Sequence, residues 1–593
     1  MAAWWLLGVG AAFGFASARS GIDRWAVAAV GLLASFAVWI LISIRWAADS
    51  ERAFAQFNQV ALYVAVLAIA IVLARLVPAP VLVGGVAFAL SVVAVVALVS
   101  RCFPSTFGVQ PGATILTALK NRLSFPLGYW NGLGIEVALA YPLLLSIMAS
   151  RRSRAARAVA ALPLPILAAV MYLTSSRGAF VAAAVGIVAF LVLTPRRWAA
   201  LAALVVAGGA GAVAVAVLVP KKALVNGDVG TALGVHQGHH AFLWIGVACV
   251  VTALGWAGSD EVGRRLPTPP RRVGQATAAV LVVLALAAIV LAHPVRQFDT
   301  FKSNPAISQT HGTATTNHLL STSGSGRWQF WAAAVSEFKA HPLNGGGAGS
   351  WQAWWLQHNS LRAYSEFAHS LYLEALGELG IVGLLLIGAA VLVAVGGAVR
   401  SALALASGEV AAAAACGTAF FVAAAYDWVW QLGGIAVVGV GTLGFALGTL
   451  SSTRSLAWGR SDVVRPVLAL VAVAAIIPQY VVLAADSHLR NSRVAFSAGD
   501  ATRARSEALA AKAIEPWAAS PYLQLGLVSE AEGRFGSAAQ WLDDAISRSR
   551  RDYTLWLIAA RIEAKRGRAG PAVRDLHEAR RLNPNSNAFG GGS

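Results

Sequence analysis

Residues 130–149 read WNGLGIEVALAYPLLLSIMA and residues 151–157 read RRSRAAR, and this succession decides the fold. The first stretch carries one charge, Glu136, and at about 1.5 Å of rise per residue is long enough for a helix to cross a ~30 Å hydrocarbon layer. The second is a burst of arginines, which marks a short loop kept on the cytoplasmic side of a membrane. Worked outward, the same alternation recurs. Apolar runs at 3–18, 25–45, 58–75, 81–100, 156–175, 178–194, 198–219, 239–257, 274–293, 370–398, 410–425, 431–450 and 464–484 join 130–149, about fourteen spans in all.

Basic residues fall on alternate loops: Arg19/Arg24, Arg151 to Arg157, Arg196/Arg197, Arg264/Arg265 with Arg271/Arg272, Arg400 and Arg454/Arg460. These face inward. Their complement faces outward: loop 101–129, the turn at Arg177, loop 220–238, the long segment 294–369, the turn at Asp427 and everything after 485. Composition agrees, since 58% of the 593 residues are hydrophobic and 12% charged, too apolar for a soluble domain of this size. The net charge of +19 resides in short loops, where it serves topology and anionic headgroups, so no nucleic-acid partner is expected. Cys102, Cys249 and Cys416 lie in or beside apolar runs and read as small core residues, with no metal-type spacing.

Two outer segments are too long for turns. Within 294–369, residues 303–326 (SNPAISQTHGTATTNHLLSTSGSG) read as a mobile polar stretch. Residues 327–343 (RWQFWAAAVSEFKAHPL) read as an amphipathic helix with Trp328, Trp331, Ala332 and Val335 on one face, suited to a membrane interface. After 485 the chain repeats itself. Gly499, Gly533 and Gly567 stand 34 apart, as do Ala511, Ala545 and Ala579, which is the tetratricopeptide period. The expected organisation is a membrane domain over 1–484, a tetratricopeptide-like α-solenoid over 485–586 and a tail at 587–593. The solenoid either binds a protein partner or caps the outer face.

Candidate chemistry gathers on the outer side. Arg177, in LTSSRGAF, sits where the charge rule does not call for a basic residue; it either snorkels to lipid phosphate or holds a phosphate bidentately. Arg327 opens the amphipathic helix. In HPLNGGGAGSWQAWW (341–355) the glycines, Gly347 among them, would let backbone approach a ligand, and Trp351 and its neighbours would stack on sugars or anchor the interface. His369, in FAHSLYLEALGELG, is either a hydrogen-bonded structural residue or a proton acceptor at neutral pH. Tyr372 and Glu374 follow on the same helix and position substrate or pack. No outer carboxylate pair, zinc-type cluster or Ser/His/Asp order points to metal or nucleophilic-serine chemistry.

The run Arg327-Trp-x-x-Trp, then HPLNGGGAGSW, then AHSLYLEALGELGIVGLL resembles the signature of the O-antigen ligase and polymerase superfamily, membrane glycosyltransferases of the GT-C class. SSRGAF and FPLGYWNGLGIEVALAYPLLL, with Asn131, are also similar to that family, and the likeness spans roughly 100–450. It implies metal-independent, inverting transfer of a glycan from an undecaprenyl-diphosphate (polyprenyl-diphosphate) carrier to an acceptor hydroxyl. The acceptor is a glycan, lipid or protein, and transfer takes place at the outer face of the cytoplasmic membrane with no cofactor. Arg177 and Arg327 would bind the diphosphate and His369 would contact the acceptor or leaving group. Asn131, Arg122, Trp328, Trp331, Gly347, Trp351, Tyr372 and Glu374 complete the expected substrate contacts. Ligases and polymerases share these motifs. A lipid-linked glycan transporter and a scaffold acting through the solenoid are the alternatives; under the scaffold reading substituting Arg177, Arg327 and His369 is harmless.

Overall fold

The computed structural model describes residues 2–6, 23–107, 122–265, 294–303, 319, 321–361, 363–450 and 461–589. Among them there is no strand, and nine helices are long and apolar enough to cross a membrane, with three shorter apolar helices beside them. The chain is an all-α, multi-pass membrane bundle, because a helix satisfies its own backbone hydrogen bonds where no water reaches. In chain order the apolar helices are α1 (Arg24–Ser43), α2 (Ser50–Leu76), α3 (Ala79–Cys102), α4 (Trp130–Met148), α5 (Arg154–Thr174), α6 (Arg177–Leu193), α7 (Arg197–Leu218) and α8 (Ala232–Arg265). The long loop carries α9 (Arg327–Ala340) and α10 (Trp351–His358), and α11 (Leu371–Leu405), α12 (Gly408–Ala423), α13 (Gly433–Gly448) and α14 (Ser461–Ser497) follow. Five shorter helices close the chain: α15 (Ala501–Ile514), α16 (Ser520–Ala531), α17 (Phe535–Arg548), α18 (Tyr553–Lys565) and α19 (Ala569–Leu582). The expected spans at 3–18 and 274–293, and most of the stretch read as mobile, lie outside the described residues.

Residues 1–72, 329–394 and 450–593 form one compact unit, and residues 73–328 and 395–449 form another. The second unit is built around α4. Every residue from Gly132 to Met148 is buried, with α3, α5, α6 and α12 packed around it. A helix apolar on all sides belongs in such a central place. Small residues set the close approaches, as usual between membrane helices: a Cβ on Gly439 would stand 2.1 Å from the Phe420 ring, and one on Gly417 would stand 2.6 Å from Leu443.

In the first unit the glycine-rich loop lies against the bend of α11. Gly347 N donates to Glu378 O at 2.8 Å and Ile381 N to Pro342 O at 3.0 Å, beside Gly380, whose φ of 68° breaks the helix. Gly345 and Gly347 have φ of 68° and 95°, and a Cβ on Gly347 would fall 2.4 Å from the Ala47 Cα. These glycines therefore let backbone meet backbone, in place of the ligand approach expected from the sequence. Ser43 and Trp46 complete the seam: Ser43 Oγ accepts from Ala348 N at 3.1 Å, and Trp46 Nε1 donates to Asn344 O at 3.3 Å. Downstream, Gly499, Gly533 and Gly567 all have positive φ, at the helix-to-helix turns that precede α15, α17 and α19. Ala538, Leu542, Ala545 and Leu555 form a core between α17 and α18.

Candidate functional site

The second unit gathers four segments at one end of its bundle. Leu123 N bonds to Leu173 O at 3.0 Å, fastening the segment that carries Arg122 to the end of α5. Ser175 then adopts a left-handed conformation (φ 51°) and Ser176 caps α6 by accepting from Ala179 N, so Arg177 becomes the first residue of that helix. Arg177 reaches into the long loop: its Nη1 donates to Ser321 O, and its Nη2 donates to Ser323 O at 2.7 Å and to Ser325 Oγ at 3.3 Å. Arg327 donates from Nε to Tyr426 O at 2.9 Å and from Nη2 to Asp427 Oδ2 at 2.7 Å.

Asp427 is the centre of this arrangement. Its side chain is wholly buried, and it also accepts from the Tyr129 hydroxyl at 2.9 Å and from Asn131 Nδ2 at 3.1 Å. Asn131 thus serves as an anchor for the carboxylate that holds Arg327. Tyr129 in turn lies against Trp428, ring centroids 4.4 Å apart. Arg122 sits over the Trp130 ring at 5.3 Å, a cation–π geometry. Burial first, then the positive charges of Arg177 and Arg327, push the Arg122 guanidinium down to about 10, so it stays charged at neutral pH. Among the described residues only Arg327 of the three arginines pairs with a carboxylate. The cluster therefore carries two uncompensated positive charges, which suits a multiply charged anion. Counting N–H groups, Arg177 uses three of its five and Arg327 two, so both retain donors. Trp328 is 37% exposed and meets Phe298 edge-on at 5.6 Å.

The remaining candidates belong to the first unit. His369 sits in a left-handed turn (φ 57°) ahead of α11, with its ring stacked on Phe330 at 5.2 Å. Its Nδ1 lies 3.1 Å from Phe367 O. A carbonyl only accepts, so in the neutral ring Nδ1 holds the proton and Nε2 the lone pair. Two neighbours fix the turn: Glu374 accepts from Ala368 N at 2.9 Å, and Trp331 donates to His369 O at 3.4 Å. Tyr372 is half-buried beside them. Trp351 is fully buried against Phe330 and Trp355, so its ring has no face left for a sugar. On α9 Gln329, Phe330, Ala333, Ala334 and Glu337 are buried, Trp331 and Val335 are half-buried, and Trp328 and Ala332 are exposed.

Residues 229–388 match the family model described as O-antigen ligase. The match places residues 229–388 in the O-antigen ligase superfamily. Its general activity is glycan transfer of the O-antigen ligase or polymerase type. No curated protein matches the chain. The stretch matched to the O-antigen ligase family contains Arg327, Trp331, His369 and Glu374, while Arg122, Asn131 and Arg177 lie before it. Asp427, Tyr129 and Tyr426 were missed in the sequence. The available signal was a carboxylate, Asp427, standing among aromatic and apolar residues in AAAYDWVWQLGG.

Proposed function

We propose that the chain transfers a glycan from a polyprenyl-diphosphate carrier to an acceptor hydroxyl at the outer face of the cytoplasmic membrane, with inversion and without a metal ion. The observation that carries this reading is the cluster of Arg122, Arg177 and Arg327 with a single buried carboxylate, Asp427, already engaged by three donors. A lipid diphosphate supplies the missing negative charge. Its headgroup binds at the guanidiniums while the polyprenyl chain stays in the bilayer. As the acceptor oxygen bonds to the anomeric carbon and the bond to the diphosphate breaks, negative charge grows on the leaving group. Fixed guanidiniums stabilise that charge, each contact contributing on the order of 3 kcal/mol.

His369 takes the acceptor proton. The Phe367 carbonyl presets the tautomer that leaves Nε2 basic, and such a base contributes roughly 10²–10⁴-fold. The outer side is supported by the meeting of the segments around Arg122, Arg177, Ser323 and Asp427, each read as an outer loop, at one end of the unit. The solenoid-like helices α15–α19 are a candidate partner surface.

The test is transfer in nanodiscs from a polyprenyl-diphosphate-linked glycan, with and without EDTA, for wild type, Arg177→Ala and His369→Ala. Transfer that persists in EDTA and is lost in both folded variants is the expected result. Full transfer by either variant removes that residue from the reaction; loss of wild-type transfer in EDTA removes the metal-free mechanism.

A further inference from the structure

Away from the arginine cluster, the first unit holds a partly open cavity of about 200 Å³. Three segments line it: the link between α1 and α2 (Asp49, Arg52), the α10 region (Gln352, Tyr364) and the turn before α18 (Arg551, Tyr553). An engineered cavity of ~150 Å³ admits benzene, so this one takes a substituted six-membered ring.

Its polar groups are unequally engaged. Asp49 accepts from Arg52 N at 3.0 Å and from Ser549 Oγ at 2.8 Å, and Asp552 accepts from both the amide and the hydroxyl of Thr554. Gln352 donates to the Tyr364 hydroxyl at 2.6 Å. Both Asp49 oxygens are thus engaged, whereas both bonds to Asp552 fall on Oδ1 and leave Oδ2 open. Arg52 stands 3.7 Å from Asp49, beyond hydrogen-bond length. Arg551 has no hydrogen bond or ion pair among the described residues; its charge is felt by the buried Glu337 carboxyl. The lining therefore offers the Arg551 guanidinium, the Arg52 guanidinium loosely paired with Asp49, two phenol rings and one open carboxylate oxygen, Asp552 Oδ2, which can accept from a sugar hydroxyl.

We propose that this cavity binds an acidic sugar residue, a pyranose bearing a carboxylate, with Arg551 and Arg52 on the anionic group and Tyr364 and Tyr553 along the ring. The proposal rests on the glycan-transfer reading for the presence of a glycan, and it gives the C-terminal helices a part in choosing which glycan is handled.

The test is saturation-transfer NMR and titration of the full chain in nanodiscs, without donor lipid, using methyl glucuronide, methyl glucoside and inorganic phosphate. The glucuronide is expected to bind, the glucoside at least about tenfold more weakly, in line with the worth of a charge-assisted hydrogen bond. Arg551→Ala is expected to weaken the glucuronide by a similar factor, Arg551→Lys to weaken it less, and Arg574→Ala, a surface change on α19, to leave it alone. Equal binding of both sugars, binding of phosphate with no binding of the glucuronide, or an unchanged glucuronide affinity in Arg551→Ala overturns the proposal. Because this binding test needs no donor, glucuronide binding together with failure of the separate donor-lipid transfer assay leaves the cavity standing and counts against the transferase reading alone.

Discussion

At the residue scale the arginines differ in what their loss exposes. Removing Arg327 leaves Asp427 buried with only two neutral donors, and breaking a buried pair costs about 3–5 kcal/mol. Arg327→Ala is therefore expected to lower the melting temperature in detergent as well as abolish transfer. Arg177 donates to loop carbonyls and a serine hydroxyl, so its removal strands no buried charge. Arg177→Ala is expected to remain folded while transfer falls by roughly 10²–10³-fold, the usual effect of deleting one transition-state donor. Parallel melting curves and initial rates separate the two cases; an Arg177→Ala protein with wild-type rates would remove this residue from phosphate binding.

At the element scale, α9, the glycine loop and α11 are locked by two buried carboxyls. Glu337 accepts from Ser350 Oγ at 2.6 Å, and Glu378 accepts from Gln56 Nε2 at 2.9 Å and Trp351 N at 3.2 Å. Burial first, then the charge of Glu378, push the Glu337 carboxyl up to about 8, against smaller opposing effects of Ser350 and Arg551. An unfolded glutamate loses its proton near pH ~4.3. Between those values the folded state holds more protons than the unfolded, so stability falls as pH rises through the window and levels off above about 8. Glu337→Gln is expected to flatten melting temperature between pH 5.5 and 8.5; a slope equal to wild type would exclude Glu337 as its source. Gly347→Ala, whose Cβ would meet the Ala47 backbone, is expected to melt lower at every pH. The helices and the 34-residue repeat were legible because both are local periodicities. The partners of Asp427 and Glu378 were not: Arg327 is 100 residues from Asp427, Tyr129 298 and Gln56 322 from Glu378, separations that no periodicity reports. Nor does a tryptophan's identity tell stacking from burial, as Trp351 illustrates.

At the scale of the whole molecule, the question that governs the reading is which side each loop faces. The charge alternation puts Arg154 inside and everything after 485 outside, an assignment that a lipid-carried donor used at the outer face requires. The native cysteines suit a labelling test, since Cys102, Cys249 and Cys416 are all buried. With those three replaced by alanine, single cysteines are placed at exposed positions, Arg154→Cys at the start of α5 and Arg574→Cys on α19. Intact spheroplasts treated with a membrane-impermeant maleimide are expected to label the position at 574 at once. The position at 154 is expected to label only after permeabilisation. Reversal of that pattern would put the C-terminal helices in the cytoplasm and exclude their contact with a glycan assembled outside. Labelling of both positions would mean an even number of spans between them, contrary to the alternation of arginine-rich and arginine-poor loops from which the topology is drawn.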